Sequence, residues 1–352
     1  MALLTPQLLR RGFLVFVLIS LVGYIAVLFY GNEGINFLPT LSRIHWRWLL
    51  VGLGLASLDW LGGGLRLWLL AREVHPNPPF WGMVLAGGMG AWGAYLTPMQ
   101  TGASPMMVYT MKRFGVPVSK ALPIVLMSFI ATVVFFAISG PLALVLGAGQ
   151  SLGGRGDVLG LSLLDLFKGS MGIFAILGVL LLLVLVAPRF ISALIHRIAV
   201  ALGKRSTRIA ARLEVLQGGI DQAHESMTMF NTPRGWLSLF WATVVSGPSH
   251  ANKLLAGYVA LRVVGIEANF VDVLLVQTLI TFLLYFAPTP GASGIAEVLS
   301  AAVMTIYVPR ELTPLYTLVW RCILTWFSIG AGFVVFSSWV RGGVRGIEVE
   351  TT

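Results

Sequence analysis

Long apolar runs, interrupted at regular intervals by short polar clusters, dominate the chain. A bilayer core needs about 20 apolar residues per helix, and six segments satisfy this as full spans: residues 12–30, 48–71, 121–147, 172–187, 236–261 and 315–340. Two further regions, 80–111 and 270–308, are equally apolar but carry a Pro/Gly break near the middle. Proline removes a backbone donor and clashes with the preceding turn, and glycine costs about 1 kcal/mol against alanine in a helix interior. In hydrocarbon every freed N–H or C=O needs a partner, so such breaks survive where they are buried in protein or line a cavity. Both regions read as helical hairpins that enter and leave on one side. For the second, two complete spans are the alternative.

The breaks share a tripeptide. Gly102-Ala103-Ser104 lies between Pro98 and Pro105, and Gly291-Ala292-Ser293 follows Pro288 and Pro290 and precedes Gly294, an offset of 291 − 102 = 189. Each half of the chain then reads span, span, hairpin, span. The expected fold class is an all-α polytopic membrane protein of two inverted repeats, six full spans and two re-entrant hairpins, with residues 1–150 as the first repeat and 165–345 as the second. Between them, 188–233 reads as a cytoplasmic linker, with Ile191, Leu194, Ile195, Ile198 and Leu202 at helical spacing opposite a basic face. A basic amphipathic helix on the inner leaflet and a solvated linker fit this pattern equally.

Composition agrees with a membrane setting: 57% of the 352 residues are hydrophobic, 11% are charged, and mean hydropathy is +0.86. A soluble core could not hide that much apolar surface. The net charge of +10 follows topology rather than nucleic-acid binding. With the N-terminus inside, fifteen Lys/Arg fall on the cytoplasmic side, six outside and three within apolar runs, as the positive-inside rule requires. The first apolar run lacks a signal-peptidase-like site and reads as a retained helix. The expected location is the bacterial inner membrane, with both termini cytoplasmic. Cys322 is the one cysteine, so no intrachain disulfide forms, and the five histidines lack metal-ligand spacing. No phosphate loop, dinucleotide fingerprint, cofactor or metal site is expected, and enzyme chemistry is not.

Function points to the ionisable residues inside apolar runs, which normally face the protein interior. These are Asp59, Arg66, Lys253, Glu297 and Arg321. Asp59 and Arg66 are seven residues apart and share a helix face. His250, Asn252 and Lys253 follow the helix-weakening Gly247-Pro248. Internal pairing, Asp59 with Arg66 and Glu297 with Arg321, is the structural alternative for each residue. As a set, three cations against two acids leave one positive charge, which an anionic head group would neutralise. Thr101, Gly102, Ser104, Gly291 and Ser293 join these as expected substrate-binding positions, with Pro98, Pro105, Pro288, Pro290 and Gly294 as the helix-breaking ones. Glu297 as a proton acceptor coupled to transport stays open.

The run Pro288-Thr289-Pro290-Gly291-Ala292-Ser293-Gly294-Ile295-Ala296-Glu297, with Arg321 beyond it, resembles the Pro-x-Pro-Gly-Gly-x-Gly-x-x-Glu signature of the lysylphosphatidylglycerol synthase transmembrane-region family. The stretch from Thr97 to Lys112 resembles that family's first loop, and Arg66 with Trp68 its second-helix motif. Ala292 stands where the signature has glycine, and Thr132 where an arginine is often seen. The resemblance implies the lipid-translocating domain of multiple-peptide-resistance proteins, without the aminoacyl-transfer domain. The function expected is a flippase that moves an anionic or zwitterionic phospholipid, its aminoacylated form included, or a related lipid through a polar cavity between the two hairpins. A scaffold for a glycosyltransferase or lipid synthase and an integral-membrane lipid-modifying enzyme using Glu297 or His250 are the alternatives. Membrane lipids are the expected partners, with a second copy of the chain or a synthase as further ones, and nucleic acid is excluded.

Overall fold

The computed structural model describes residues 6–29, 44–146, 157–158, 161–186 and 228–350, with positions 193 and 197. Nearly all of the linker expected at 188–233 lies outside these residues. Twelve α-helices run in chain order among the described residues. They are α1 Pro6–Phe29, α2 Trp46–Val74, α3 Phe80–Tyr95, α4 Ala103–Arg113, α5 Val118–Val145 and α6 Leu163–Val186, then α7 Pro233–Ser249, α8 Ala251–Val263, α9 Phe270–Tyr285, α10 Ile295–Met304, α11 Thr313–Arg321 and α12 Phe327–Glu350. A two-residue antiparallel ladder, Asp157 opposite Ser162, precedes α6.

Among the described residues, three apolar stretches are long enough to cross a membrane: Trp46–Val74, Val118–Leu142 and Arg310–Trp339. The spans expected at 12–30 and 172–187 correspond to α1 and α6, whose described apolar stretches, Phe13–Val27 and Met171–Leu180, are shorter. The span expected at 236–261 is not one helix. Pro248 withholds an N–H from the end of α7, the His250 N–H is shared between the Ser246 and Gly247 carbonyls, and a new helix starts at Ala251. The last span is also irregular, because Cys322–Trp326 forms a π-helical turn directly after Arg321.

Local chemistry accounts for several helix starts. Thr232 accepts from the Gly235 N–H at 3.0 Å with Pro233 in the first turn, and Asn269 accepts from the Val271 and Asp272 amides. Small residues then set how closely the helices approach. A Cβ on Gly62 of α2 would lie 2.6 Å from the Ser249 Cα of α7, and one on Gly64 would lie 2.3 Å from the Val84 Cα of α3. Helix α2 is therefore central, packed against α3, α7 and α8. One apolar core on its flank joins Leu67, Met83, Met111, Ile124 and Ala242, and the other joins Ala260, Val276, Ile280, Met304 and Trp320.

The two broken regions are helix–turn–helix hairpins that point at each other. At one end of the bundle, Trp68 of α2 packs edge-on against Phe80 at the start of α3, and Arg113 at the end of α4 lies over Trp339 of α12. At the opposite end, Tyr258 of α8 touches both Trp48 and Phe270, the first residue of α9, while Tyr24 of α1 donates to the Pro314 carbonyl of α11. The first hairpin, α3–α4, starts and ends at one end; the second, α9–α10, starts at the other. Their tips, the short 3-10 turns Pro98–Gln100 and Pro290–Ala292, touch inside the bundle. The limbs are short: at 1.5 Å per residue, 16-residue α3 and α9 extend about 24 Å and α4 and α10 about 15–17 Å, against a hydrocarbon core of about 30 Å.

Candidate functional site

The backbone repeats itself at the two tips, in a register different from that of the shared tripeptide. Thr97 and Thr289 are extended and Pro98 and Pro290 follow them. Next come two left-handed residues in each tip, Met99 (φ 50) and Gln100 (φ 58) in one, Gly291 (φ 55) and Ala292 (φ 55) in the other. Thr101 and Ser293 then close each turn with equivalent bonds: their amides donate to the Pro98 and Pro290 carbonyls at 3.2 and 3.0 Å, and their hydroxyls to the same carbonyls at 3.1 and 2.8 Å. The offset is 290 − 98 = 192, not 189. Gly102 therefore matches Gly294, and the two Gly-Ala-Ser copies occupy different places: the first starts α4, the second forms the turn itself. The shared pattern is Thr-Pro, two left-handed residues, Thr or Ser, then Gly. Ala292, the departure from the signature, sits in a conformation that glycine adopts without strain and a Cβ makes costly by roughly 1–2 kcal/mol.

Around the meeting tips lies a crevice of mixed polar and apolar lining, with two chambers sharing Tyr95, Gln100, Lys253 and Tyr285. The larger holds about 80 Å³ and is walled by α2, α3 and α7–α8, with Asp59, Arg66, Ser249 and His250 among its lining. The smaller, about 40 Å³, runs between the tips past Thr97, Thr289 and Gly291. Asp59 anchors the shared wall: Lys253 Nζ lies 2.8 Å from its Oδ1, and the Tyr95 hydroxyl donates to its Oδ2 at 2.8 Å. The Lys253 ammonium also faces the Tyr95 ring at 5.8 Å. Its backbone carbonyl, close to the break between α7 and α8, accepts from Gln277 Nε2 and Thr281 Oγ1 at 3.0 Å each. Gln277 in turn accepts from the Trp320 indole at 3.1 Å, which connects the crevice floor to α11.

Arg66 projects into the same larger chamber but takes no carboxylate. Its Nη1 donates to Thr132 Oγ1 at 2.6 Å and to Ser246 Oγ at 3.2 Å, and its buried Nε finds no acceptor among the described residues. The expected Asp59–Arg66 pair is thus corrected to Asp59–Lys253; side-chain direction on α2 and the break before α8 put the ammonium nearer. His250 packs against Phe136 and Phe135, and its Nδ1 is 2.8 Å from the Ser246 carbonyl.

Glu297 and Arg321 pair with each other, apart from both chambers. Arg321 Nε lies 2.9 Å from Glu297 Oε1, with the two side chains 1% and 0% exposed. Arg321 also donates to the Gly291 carbonyl and to Ser20 Oγ of α1, and Glu297 Oε2 accepts the Gly294 N–H at 2.7 Å. Every polar group of the carboxylate is engaged, so the pair ties α11, the second tip, the start of α10 and α1 together. Of the other expected positions, Gly291 lines the smaller chamber, while Thr101 and Ser104 are exposed and line neither. Asn252 is buried and donates to the Leu324 carbonyl at 3.5 Å. Gly102 donates its amide to Thr97 Oγ1 at 2.7 Å, a cap for the first tip, and Ser293 is consumed by its turn. Pro105 lies in the first turn of α4, where its missing N–H costs nothing, whereas Pro98 and Pro290 open the turns; Pro288 precedes the second.

Tyr95, Gln100, Tyr285, Ser246, Ser249, Gln277 and Thr281 are the residues in and around the crevice that the sequence does not single out. All are uncharged, and hydroxyls or amides in apolar helices commonly bond their own backbone, so no charge or spacing distinguishes them.

The family described as "Lysylphosphatidylglycerol synthase TM region" matches residues 12–332. A UPF0104 membrane protein of Archaeoglobus fulgidus is 24% identical over 311 residues, which cover 86% of this chain and 89% of that relative.

Proposed function

The chain belongs to the lysylphosphatidylglycerol synthase transmembrane-region family, and from that premise we propose that it carries a lipid between the leaflets of a bacterial inner membrane. The observation that supports this best is the crevice, with the charged Asp59, Arg66 and Lys253 in its larger chamber, at the meeting point of two opposed, short-limbed hairpins in a mostly apolar bundle. In this reading the hairpins are re-entrant, the termini are cytoplasmic, and the halves are inverted repeats that exchange roles. The head group enters the crevice and the acyl chains stay in lipid. The protein transports its lipid and does no chemistry on it.

The unequal cover of the two tips fits such an exchange. Helix α1 seals the second tip: Phe16 lies against Gly291, and a Cβ on Gly23 would stand 2.7 Å from the Gly294 Cα. Among the described residues the first tip has no such cover, with Met99 61% exposed: α6, the counterpart of α1 in this reading, packs on α5 and α9 instead. In the transport reading, one tip covered and the other exposed corresponds to a single access state.

Purified protein in unilamellar vesicles containing a fluorescent phosphatidylglycerol is expected to expose inner-leaflet label to an external quencher within minutes. Protein-free vesicles retain roughly half the signal. A panel of anionic, zwitterionic and polyprenyl lipids that all remain protected would refute transport.

A further inference from the structure

We infer that Arg66 is the anchor for one phosphodiester anion, the phosphate of the lipid head group; this inference rests on the transport reading for its lipid source. Arg66 is 7% exposed and opens into the larger chamber. None of the ion pairs among the described residues includes it. Asp59, the acid two turns away on α2, already holds Lys253 and Tyr95. The groups that Arg66 does touch bring no negative charge. Thr132 Oγ1 gives its own proton to the Ser128 carbonyl and Ser246 Oγ gives its proton to the Ala242 carbonyl, so toward Arg66 both act only as neutral acceptors.

A guanidinium presents five donors in a planar fork suited to two oxygens of one anion. Here the Nε position of that fork is buried and lacks an acceptor among the described residues, which is costly for a charged donor. Charge arithmetic within the chamber sets the ligand class. Arg66 and Lys253 against Asp59 leave 2 − 1 = +1, the complement of a phosphodiester's single negative charge. A phosphomonoester carries about −1.5 to −2 at neutral pH and would leave an excess. The chamber's roughly 80 Å³ suits a compact anion, with the remainder of a head group extending along the smaller chamber between the tips.

The test uses full-length protein in nanodiscs and detergent, with thermal unfolding as the binding readout and transport measured separately. Phosphatidylglycerol is expected to stabilise the wild type in a saturable way, while diacylglycerol, which lacks the phosphate, does not. Arg66→Gln should weaken phosphatidylglycerol binding at least tenfold, and Arg66→Lys, which keeps the charge and loses the fork, by a smaller factor. Affinity within twofold of wild type in Arg66→Gln overturns the inference; should that variant not fold, unchanged affinity in Arg66→Lys does so. Soluble glycerophosphoglycerol and inorganic phosphate separate the sources. If either binds as tightly as the lipid and Arg66-dependently, the site takes a free anion and the lipid assignment falls. Arg66-dependent lipid binding without transport would sink the transport reading and leave the site standing. Transport with Arg66-independent binding would do the opposite.

Discussion

Glu297→Ala, Arg321→Met and the double variant test whether the buried pair acts as an interlock rather than in lipid handling. Removing Glu297 strips Arg321 of the carboxylate at 2.9 Å and leaves only the Gly291 carbonyl and Ser20 hydroxyl, at 3.2 and 3.4 Å, to hold a guanidinium that is 1% exposed. Breaking one side of a buried pair costs about 3–5 kcal/mol. Removing Arg321 leaves Glu297 with the Gly294 amide alone, and if the two single costs were independent they would sum to roughly 6–10 kcal/mol. The double variant buries no charge at this place. What it leaves unpaired are the Gly291 carbonyl and the Gly294 amide, about 1–3 kcal/mol each, so its cost is about 2–6 kcal/mol. The cycle should therefore show a coupling of several kcal/mol, with the double variant far less unstable than the sum. Unfolding in mixed micelles titrated with dodecyl sulfate measures it. Additivity within about 0.5 kcal/mol, or a Glu297→Ala protein as stable as wild type, would refute the interlock.

Gly62→Val places a side chain where even a Cβ is 2.6 Å from the Ser249 Cα; α2 and α7 must separate, and a loss of at least 1–3 kcal/mol is expected in the same unfolding assay. Lys253→Met leaves Asp59 with the Tyr95 hydroxyl as its remaining partner; stability should fall by roughly 3 kcal/mol, and Asp59→Asn in the same chain should restore part of it. Ala292→Gly relieves a left-handed residue at φ 55. Roughly 1–2 kcal/mol of strain, less up to about 1 kcal/mol of added chain entropy, predicts a small rise in melting temperature; a fall would mean that the Ala292 methyl packs for more than it strains.

Much of the candidate site is legible in the chain because burying charge in an apolar helix is expensive. Asp59, Arg66, Lys253, Glu297 and Arg321 stand out for that reason, and all five are buried or nearly so in the structure. Proline and glycine mark the breaks equally well, since both damage a helix whatever its surroundings. Partners are another matter. Asp59 and Arg66 share a helix face, yet Asp59 takes Lys253, 194 positions away, because the path of the chain after His250 carries that ammonium to it. Register misleads too. The identical tripeptides suggest an offset of 189, whereas turns are defined by φ and ψ, and Met99-Gln100 adopts the same left-handed pair as Gly291-Ala292 with no shared residue.

By itself the sequence determined a helical membrane protein, the two places where its helices break, and the side chains too costly to bury without purpose. These follow from local quantities: hydropathy over about 20 residues, the lost N–H of proline, the desolvation of a charge. Only the tertiary structure decided that the hairpin tips meet, that Glu297 and Arg321 satisfy each other beside α1, and that Arg66, of the three cations within apolar runs, pairs with no carboxylate among the described residues. Those outcomes depend on helices brought to contact distance, as at Gly62 and Gly64 of α2 and at Gly23 of α1, between residues far apart in the chain, which no linear pattern encodes.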